Sequence, residues 1–383
     1  MAGAPARRRV ELADLLRLHG AAYRAAHRLT RGQPRALRAI GTCRTALLGG
    51  HVETCEACGA TRIAYNSWRN RHCPQCQTLA QERWLAARQT DLLPGEYFHV
   101  VFTLPHGLNP LAQGNPRVLY RLLFHAARET LATFGEDPRH LGGEVGGLAL
   151  LHTWGQTLEQ HLHPHCLVPG GALTRDGTRW RPAKPGFLFP VRALARVFRG
   201  QYLAAFQPAF VRQQLRFAGG VAPLAAPVAF RQFLATLRAS DWVVYAKPPF
   251  AGPTQVLEYL GRYPHRVALS NDRLVSVDAG QVRFRWKDSA HGNRLKTMTL
   301  SADEFLRRFL LHVLPAGFVR IRHFGFLANR GRPGKLARCR ALLHRLTGVD
   351  ITRCPVGGSG RVHVTGRLAP LRRPRARPGG DTS

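Results

Sequence analysis

Acidic residues are scarce in this chain of 383 residues: 22 Asp and Glu stand against 56 Lys and Arg, and the formal net charge is +34. So basic a chain repels itself unless a polyanion neutralises it. The excess is spread along the whole length, which favours nucleic acid as the partner, because phosphates release counterions when Lys and Arg bind them. An anionic membrane surface and a compositional bias toward arginine are the alternative explanations.

Long apolar runs are also missing from the chain. No run of 18 apolar residues is present, so we expect no membrane-spanning helix and no membrane partner. The basic start of the chain is not followed by the apolar segment of a secretory signal. Two CxxC pairs account for four of the eight cysteines. This usage suits metal binding in a reducing cytoplasm better than disulfides.

The spacing of apolar residues predicts interleaved helices and strands. Periods near 3.6 predict helices over 10–27, 33–48, 77–92, 115–134, 190–216, 228–239, 254–263 and 301–313. Runs rich in β-branched and aromatic residues predict strands over 97–104, 147–154, 163–168, 242–246, 273–277 and 281–287. Because these strands are joined by short turns or by helices in mixed order, we predict an α+β fold with antiparallel hairpins.

Two CxxC pairs predict a zinc site near the N-terminus. Cys55 and Cys58 are separated from Cys73 and Cys76 by 14 residues, a distance at which two knuckles close a tetrahedral thiolate site. We assign this closed site a structural role. His51, His72 and Cys43 are additional candidates, which we expect to support the site rather than to bind the metal. Further along, basic side chains are expected to present charge to DNA beside it: Arg62, Arg69 and Arg71.

Alternating histidines mark a second candidate metal site. His161, His163 and His165 recur at every second position, and residues two apart on a strand share one face. His163 and His165 therefore offer two imidazoles to one divalent ion, which could polarise a phosphate. An exposed or core-capping histidine group is the alternative.

A hairpin between residues 147–154 and 163–168 would bring a third ligand to this site. One allowed register places His152 opposite His165 and Trp154 opposite His163. The third ligand stays open among His152, His265 and Gln156, in that order of preference.

A pair of tyrosines offers candidate nucleophiles. Tyr259 and Tyr263 lie four residues apart in a short helical stretch, so that both hydroxyls face the same way. A tyrosine that attacks a phosphodiester needs neighbouring positive charge, and Lys247, Arg262 and Arg266 are close in sequence. Packing of two aromatic rings against the sheet is the alternative for such a pair in isolation.

Basic residues alternate with apolar ones from Val282 onward. Arg283, Arg285 and Lys287 are predicted to form a row on the outer face of a strand, where they would contact the DNA backbone. A solvated strand face is the alternative. Farther on, a second DNA surface is expected from Arg320, Arg322, His323, Arg330, Arg332 and Lys335. The final residues from Arg367 are rich in Pro and Arg, which predicts a disordered tail.

Taken together, these segments resemble the rolling-circle insertion-sequence transposases of the IS-ninety-one type, in the HUH endonuclease superfamily. The resemblance covers residues 30–340 and is carried by blocks in one order: CRTALLGGH with CxxC, YNSWRNRHCPQCQ, YFHVVFTLPHGLN, the histidine segment, WVVYAKPPF, YLGRYPHRVALSN, FRWKD and EFLRRFLLHVLPAGFVRIRHFGFLAN. Trp68 departs from the pattern where relatives often carry cysteine. Pro164 departs from it between the two histidines, where it would disturb strand pairing unless the strand lies at an edge.

The resemblance implies an N-terminal zinc-ribbon-like domain and an RRM-like nuclease domain with an antiparallel sheet. It implies Mg²⁺ or Mn²⁺ at His163 and His165, and nucleophilic roles for Tyr259 and Tyr263. The expected domains are 1–92 (helical and zinc-binding), 93–315 (two-tyrosine nuclease), 316–366 (basic, DNA-binding) and 367–383 (tail).

The expected function is a bacterial, nucleoid-associated transposase that nicks and joins single-stranded DNA at element ends, using structural Zn²⁺, and that also engages target DNA. A plasmid replication initiator or relaxase with the same chemistry is one alternative. A non-catalytic, zinc-dependent DNA-binding protein is the other.

Overall fold

The computed structural model describes residues 10–76, 84–85, 88, 91–250 (248–250 by their backbone only), 255–256, 268–288 and 291–348. In these residues the helices are α1 Leu12–Ala26, α2 Gln33–Gly41, α3 Asn109–Gly114, α4 Pro116–Glu136, α5 Val191–Val211, α6 Pro227–Ala239, α7 Ala302–Leu311 and α8 Arg332–Thr347. The strands are β1 Gly50–Thr54, β2 Thr61–Tyr65, β3 Tyr97–Thr103, β4 Gly147–Trp154, β5 Gln160–Pro169, β6 Gly171–Leu173, β7 Trp180–Pro182, β8 Val243–Phe250, β9 Leu274–Asp278, β10 Gln281–Asp288, β11 Arg294–Ser301 and β12 Ile321–Phe324.

A five-stranded sheet forms the centre of the molecule, in the order β12-β4-β5-β3-β8. All of its pairings are antiparallel, which confirms the predicted α+β class. One face packs against α4 and α5 through fully buried side chains such as Phe102, Leu151 and Phe198. Burial of each such side chain stabilises the fold by about 1.5–3 kcal/mol. The helices therefore cover this face, and only the opposite face of the sheet can hold an accessible site.

The opposite face of the central sheet is covered only in part. Leu148, Leu150 and Leu167 pack there with Phe326 and with side chains of α8. The same face carries the alternating histidines, since residues at even spacing along β5 point the same way. The alternating histidines and a small apolar cluster therefore share one surface of one sheet.

A second core joins the N-terminal helices to a later part of the chain. Leu15 of α1 and Ile40 of α2 are buried with Phe284 of β10 and Phe305 of α7. β10 lies between β9 and β11 in its own antiparallel sheet. Residues of the 274–311 segment therefore share a core with the N-terminal helices, while the predicted boundaries group them with the nuclease domain.

The C-terminal region contributes one strand to the central sheet. β12 pairs with β4, with Ile321 opposite Leu150 and Phe324 opposite Gly147. Residues 321–324 thus form an edge strand of the central sheet, on the C-terminal side of the predicted boundary at 315/316. The predicted tail 367–383 lies outside the described residues.

Pro164 lies in the middle strand of the sheet rather than at an edge. The β3–β5 ladder runs to Val101 opposite His165 and then breaks, with one further bond from the Leu104 amide to the Leu162 carbonyl at 3.0 Å. The nitrogen of Pro164 faces β3 at this break, so the ladder is interrupted where proline cannot donate. The expected disturbance is thus local.

Within the described residues no single helix has the length and apolar character needed to cross a membrane, although the bent pair Gly219–Ala225 and Pro227–Ala239 meets that test jointly by length and composition.

Candidate metal centres and nucleic-acid surfaces

Three histidines converge on the open side of the central sheet. His152, His163 and His165 each offer a ring nitrogen, and these atoms lie within 4.8 Å of one another. The Nε2 atoms of His163 and His165 are 3.1 Å apart. The prediction that the two imidazoles share a face is thus matched by their geometry, and His152 is the third-ligand candidate that the structure brings to them.

The predicted register of this hairpin is wrong by two residues. His152 lies opposite His163 and Leu150 opposite His165, while Trp154 lies opposite Gln160. The turn is tighter than expected, because the Gly155 amide donates to the Glu159 carbonyl at 2.9 Å and pairing continues up to it. A shift of two residues preserves the face on which each side chain lies. His152 therefore stays in the group, with its ring centroid 4.3 Å from that of His165.

Hydrogen bonds orient the two strand histidines. His163 Nδ1 lies 2.9 Å from the His161 carbonyl oxygen, which can only accept, so Nδ1 carries the proton and Nε2 a lone pair. His165 Nδ1 lies 2.8 Å from His99 Nε2. When His165 is the donor in this contact, its Nε2 also carries a lone pair. Two lone pairs then face each other across 3.1 Å. This donor set fits a divalent cation, which would relieve their repulsion.

Burial keeps these imidazoles neutral. It lowers the pKa of His163 and of His165 well below the usual range; nearby histidines lower both further, and Lys247 lowers that of His165. The pKa of His99 falls to about 3, because of burial and then of Lys247. Metal ions bind the neutral form of imidazole. His163 and His165 are therefore in the ligand-competent state at neutral pH.

Two residues of this face were not singled out in the sequence. His99 lies in β3, opposite Lys247 of β8, and Val101 lies opposite Tyr245. Tyr245 is 52% exposed. The alternation of β3 and β8 could have indicated both, because His99 and Val101 stand two apart, as do Tyr245 and Lys247. The chain thus carries an exposed phenol on the histidine face.

Several predicted site residues lie outside the described residues: Tyr259, Tyr263, Arg262, Arg266 and the third-ligand candidate His265. Lys247 is described and exposed on β8. Gln156 is exposed in the turn after β4, where its carbonyl oxygen accepts a hydrogen bond from Arg273.

The cysteines that lie together differ from the predicted set. Cys43, Cys73 and Cys76 bring their sulfurs within 4.8 Å of one another, with Cys43 and Cys76 Sγ atoms 3.2 Å apart. Cys55 and Cys58 are exposed instead, between β1 and β2. The four predicted ligands are therefore not assembled as one site. The hairpin extends Cys55 and Cys58 into solvent, whereas the turn after α2 delivers Cys43 to the second CxxC pair.

The three-cysteine group has the chemistry of a zinc site. Hydrogen bonds from Cys73 and Cys43 lower the pKa of Cys76 to about 5, against the effect of burial. The bond to Cys76 raises the pKa of Cys73, and burial raises that of Cys43. The group thus stabilises one thiolate, at Cys76, and thiolate is the form that binds Zn²⁺. Zn–S bonds of about 2.3 Å place tetrahedral sulfurs about 3.8 Å apart. Nearby, Trp68 donates from Nε1 to Thr42 Oγ1 at 2.8 Å.

The basic residues divide into exposed and internal sets. Arg283, Arg285 and Lys287 are exposed along β10, while Val282 and Phe284 are buried between them, so the predicted outward row exists. Arg71, by contrast, donates to the carbonyls of Phe318 and Pro315 at 2.6 and 2.8 Å. It joins the cysteine region to the central domain and is not free for DNA.

The predicted second DNA surface is also largely internal. Burial lowers the pKa of Arg320 to about 10, and Arg322 lies 4.3 Å from the Phe124 ring centroid. Lys335 pairs with Glu144 at 2.7 Å and Arg332 with Asp91 at 3.6 Å. These side chains hold β12 and α8 in place, so their charges interact mostly with groups of the protein itself.

Comparison with known proteins agrees with this division into two centres. Residues 15–104 match the family model described as "Transposase zinc-binding domain", and residues 146–333 match the one described as "Putative transposase". The first match contains the cysteine group, and the second contains the three histidines. Together they define a transposase with a zinc-binding domain ahead of its histidine-bearing sheet.

Two relatives extend this class to a particular family. The chain is 53% identical over 373 residues to "Putative transposase y4qJ" of Sinorhizobium fredii, covering 92% of this chain and 94% of that protein. It is 30% identical over 294 residues to the "Transposase for insertion sequence element IS801" of Pseudomonas savastanoi pv. phaseolicola, covering 75% and 68%. The chain therefore belongs to the insertion-sequence transposases of the IS-ninety-one type, as its sequence blocks predicted.

A solved structure, the conjugative relaxase TrwC in complex with OriT DNA, also aligns with the chain. The alignment covers 66% of this chain and 72% of that one, at 12% identity and a TM-score of 0.24. At that score the two backbones are too different to support an inference.

Proposed function

We propose that this transposase nicks and joins single-stranded DNA at the ends of its element through a 5′-phosphotyrosine intermediate. The observation that carries the proposal is the convergence of His152, His163 and His165 at ligand distances on one sheet face. His163 and His165 would hold a Mg²⁺ or Mn²⁺ ion, with His152 as the third protein ligand. When bound, such an ion polarises a scissile phosphate.

The nucleophile in this proposal is Tyr259 or Tyr263. The phenol loses its proton, its oxygen bonds to phosphorus, and the bond from phosphorus to the 3′ oxygen breaks. The 3′ oxygen takes up a proton and leaves as a free hydroxyl. Because the phosphotyrosine retains the energy of the broken bond, a later attack by a 3′ hydroxyl rejoins DNA without ATP. The second tyrosine permits another cleavage while the first link persists.

The chain's own residues prepare this reaction. Lys247 stands beside His99 on the sheet face and supplies positive charge near the phosphate. The exposed row Arg283, Arg285 and Lys287 would contact the DNA backbone. We further propose that Cys43, Cys73 and Cys76 hold a structural Zn²⁺ ion. We also propose that the protein binds target DNA and associates with the nucleoid.

Covalent capture of DNA tests the proposal. Labelled single-stranded element-end DNA is incubated with protein and Mn²⁺, and denaturing gels detect any protein–DNA adduct. The proposal predicts an adduct that disappears in the double variant Tyr259→Phe, Tyr263→Phe and persists in the matched variant Tyr65→Phe, which removes a phenol from the N-terminal hairpin. Normal DNA binding without an adduct would favour the non-catalytic DNA-binding alternative.

A further inference from the structure

A basic cleft lies apart from both metal centres. It has a volume of about 1030 Å³ and is bounded by the segment between α1 and α2, the start of α4, residues 214–216 and the end of α7. Its charged lining consists of arginines and one histidine: Arg28, Arg31, Arg35, Arg117, Arg216, Arg307 and His27. None of the described residues that line it is acidic. The cleft is therefore a strongly positive channel rather than a mixed-charge surface.

Most of this charge is not neutralised within the described fold. Arg307 pairs with Glu304 at 2.6 Å, and His27 with Asp303 at 2.6 Å. In contrast, no ion pair to a described acidic residue involves Arg28, Arg31 or Arg35, which are exposed. Uncompensated arginines in a concave site concentrate a positive potential that attracts phosphate groups. The cleft is thus suited to an anionic polymer.

The walls of the cleft are fixed by specific hydrogen bonds. The buried Asn115 side chain donates to the Arg216 carbonyl at 2.8 Å and accepts from the Arg216 amide at 2.7 Å. Across the cleft, Gln33 Nε2 donates to the Leu310 carbonyl at 2.9 Å. Because both sides are held by backbone contacts between distant segments, the arginines are presented on a preformed scaffold.

Neutral amide side chains accompany the arginines. Gln113 and Gln214 line the cleft and are exposed. Amides donate to and accept from base edges, which are accessible in single-stranded DNA, whereas guanidinium groups bind the phosphates. Acidic peptides would pair with the arginines but would form fewer hydrogen bonds with the amide side chains. The presence of arginines and amides together therefore favours single-stranded nucleic acid as the ligand.

The cleft reaches the strand that carries the metal ligands. Gln160 lines the cleft and begins β5, three residues before His163. At about 3.3 Å per residue, the backbone distance between them is about 10 Å. Because Gln160 and His163 stand an odd number of positions apart, their side chains point to opposite faces of the sheet. DNA held in the cleft would therefore reach the histidine centre by passing around this end of the sheet.

We propose that this cleft binds the single-stranded DNA segment that adjoins the cleavage position, and that Arg28, Arg31 and Arg35 contact its phosphates. The inference rests on the proposed function for the identity of the DNA, but not for the presence of the site. It assigns the junction between the N-terminal helices and the central domain a role in gripping DNA, whereas Arg283, Arg285 and Lys287 lie on a different sheet.

Salt-dependent binding tests the cleft. Affinity of the full chain for a single-stranded oligonucleotide is measured at several salt concentrations, without added Mg²⁺ or Mn²⁺. The triple variant Arg28→Gln, Arg31→Gln, Arg35→Gln is compared with the control Arg192→Gln, Arg196→Gln, Arg231→Gln, which removes the same charge from exposed positions of α5 and α6. The cleft variant should bind at least about tenfold more weakly, and its log–log salt slope should fall by about 2, since each lost phosphate contact contributes about 0.7.

Two further measurements complete the test. Lysine at positions 28, 31 and 35 should restore most of the slope, and a thermal melt shows that each variant is folded. Equal losses in the cleft and control variants would overturn the proposal, as would competition by polyglutamate as strong as that by DNA. Adduct formation by the unmodified chain is measured separately. Failure to form an adduct contradicts the catalytic proposal, whereas unchanged DNA binding by the cleft variant contradicts the cleft proposal.

Discussion

The two candidate metal centres are built in opposite ways. The histidine centre lies on neighbouring strands of a sheet whose other face is covered by α4 and α5, and its rings are oriented by hydrogen bonds to His99 and a carbonyl. The cysteine centre lies in turns, and its sulfurs bond chiefly to one another. A sheet site is held in place without its ion, whereas a site in turns depends on the ion for its structure.

Loss of the cysteine centre should have the largest effect. Cys43→Ser and Cys73→Ser should abolish zinc retention and lower the first thermal transition by about 10 °C, the shift that a loss of about 4 kcal/mol produces in a domain of this size. Zinc content and calorimetry measure this. The matched variant Cys55→Ser, Cys58→Ser should keep its zinc, because those thiols lie at the exposed hairpin. If Cys55→Ser, Cys58→Ser lost its zinc while Cys43→Ser kept its zinc, the result would support the predicted four-cysteine site instead.

Loss of a histidine ligand should remove function but not structure. His163→Ala should abolish measurable Mn²⁺ binding and reduce adduct formation by at least about 100-fold, because an imidazole ligand is lost. Its melting temperature should fall far less than that of Cys43→Ser. Mn²⁺ titration followed by electron paramagnetic resonance measures binding. A variant that loses its fold along with its metal would show that the histidine centre is not preformed.

His99 should act through His165 rather than on the metal itself. His99→Phe removes the acceptor for His165 Nδ1 and should weaken Mn²⁺ binding about 10–100-fold. His99→Gln, which keeps a polar partner, should recover part of the loss. The dissociation constant for Mn²⁺ is the measurement. Equal affinity in the two variants would show that the 2.8 Å contact does not orient the ligand.

Buried histidines should also make folding sensitive to acid. The pKa values of His72 and His312 are lowered to about 3 and about 4, in both cases chiefly by burial. The unfolded chain binds more protons than the folded one below pH 6.5, so stability is complete above that pH and is lost as pH falls toward 4. Each histidine contributes up to about 1.4 kcal/mol per pH unit in this window.

Urea unfolding at a series of pH values measures this dependence. His312→Gln should show a shallower fall than the unmodified chain, and His344→Gln, in the last turn of α8, should not. An identical pH dependence in His312→Gln would contradict the assignment of acid sensitivity to the buried ring.

The sequence determined the local parts of this structure well. The strand over 147–154 was predicted with its observed bounds. Strand alternation also put His163 and His165 on one face. These features depend on residues a few positions apart, where backbone geometry fixes which side chains meet.

The features that were missed depend on distant contacts. Cys43 reaches Cys76 across 33 positions, and no spacing rule connects a cysteine after a helix with a CxxC pair in a later turn. Arg71 and Arg320 looked like surface charge because sequence does not reveal which arginines tertiary packing leaves only partly exposed. β12 was missed because four residues carry too little periodicity to predict a strand.

The most direct test of the central claim is to identify the residue that becomes attached to DNA. Covalent complexes formed with Mn²⁺ are digested with protease and nuclease, and the nucleotide-bearing peptide is sequenced by mass spectrometry. The account predicts a nucleotide on Tyr259 or Tyr263 in the unmodified chain and none in His163→Ala. Attachment at the exposed Tyr245, or attachment that persists in His163→Ala, would contradict it.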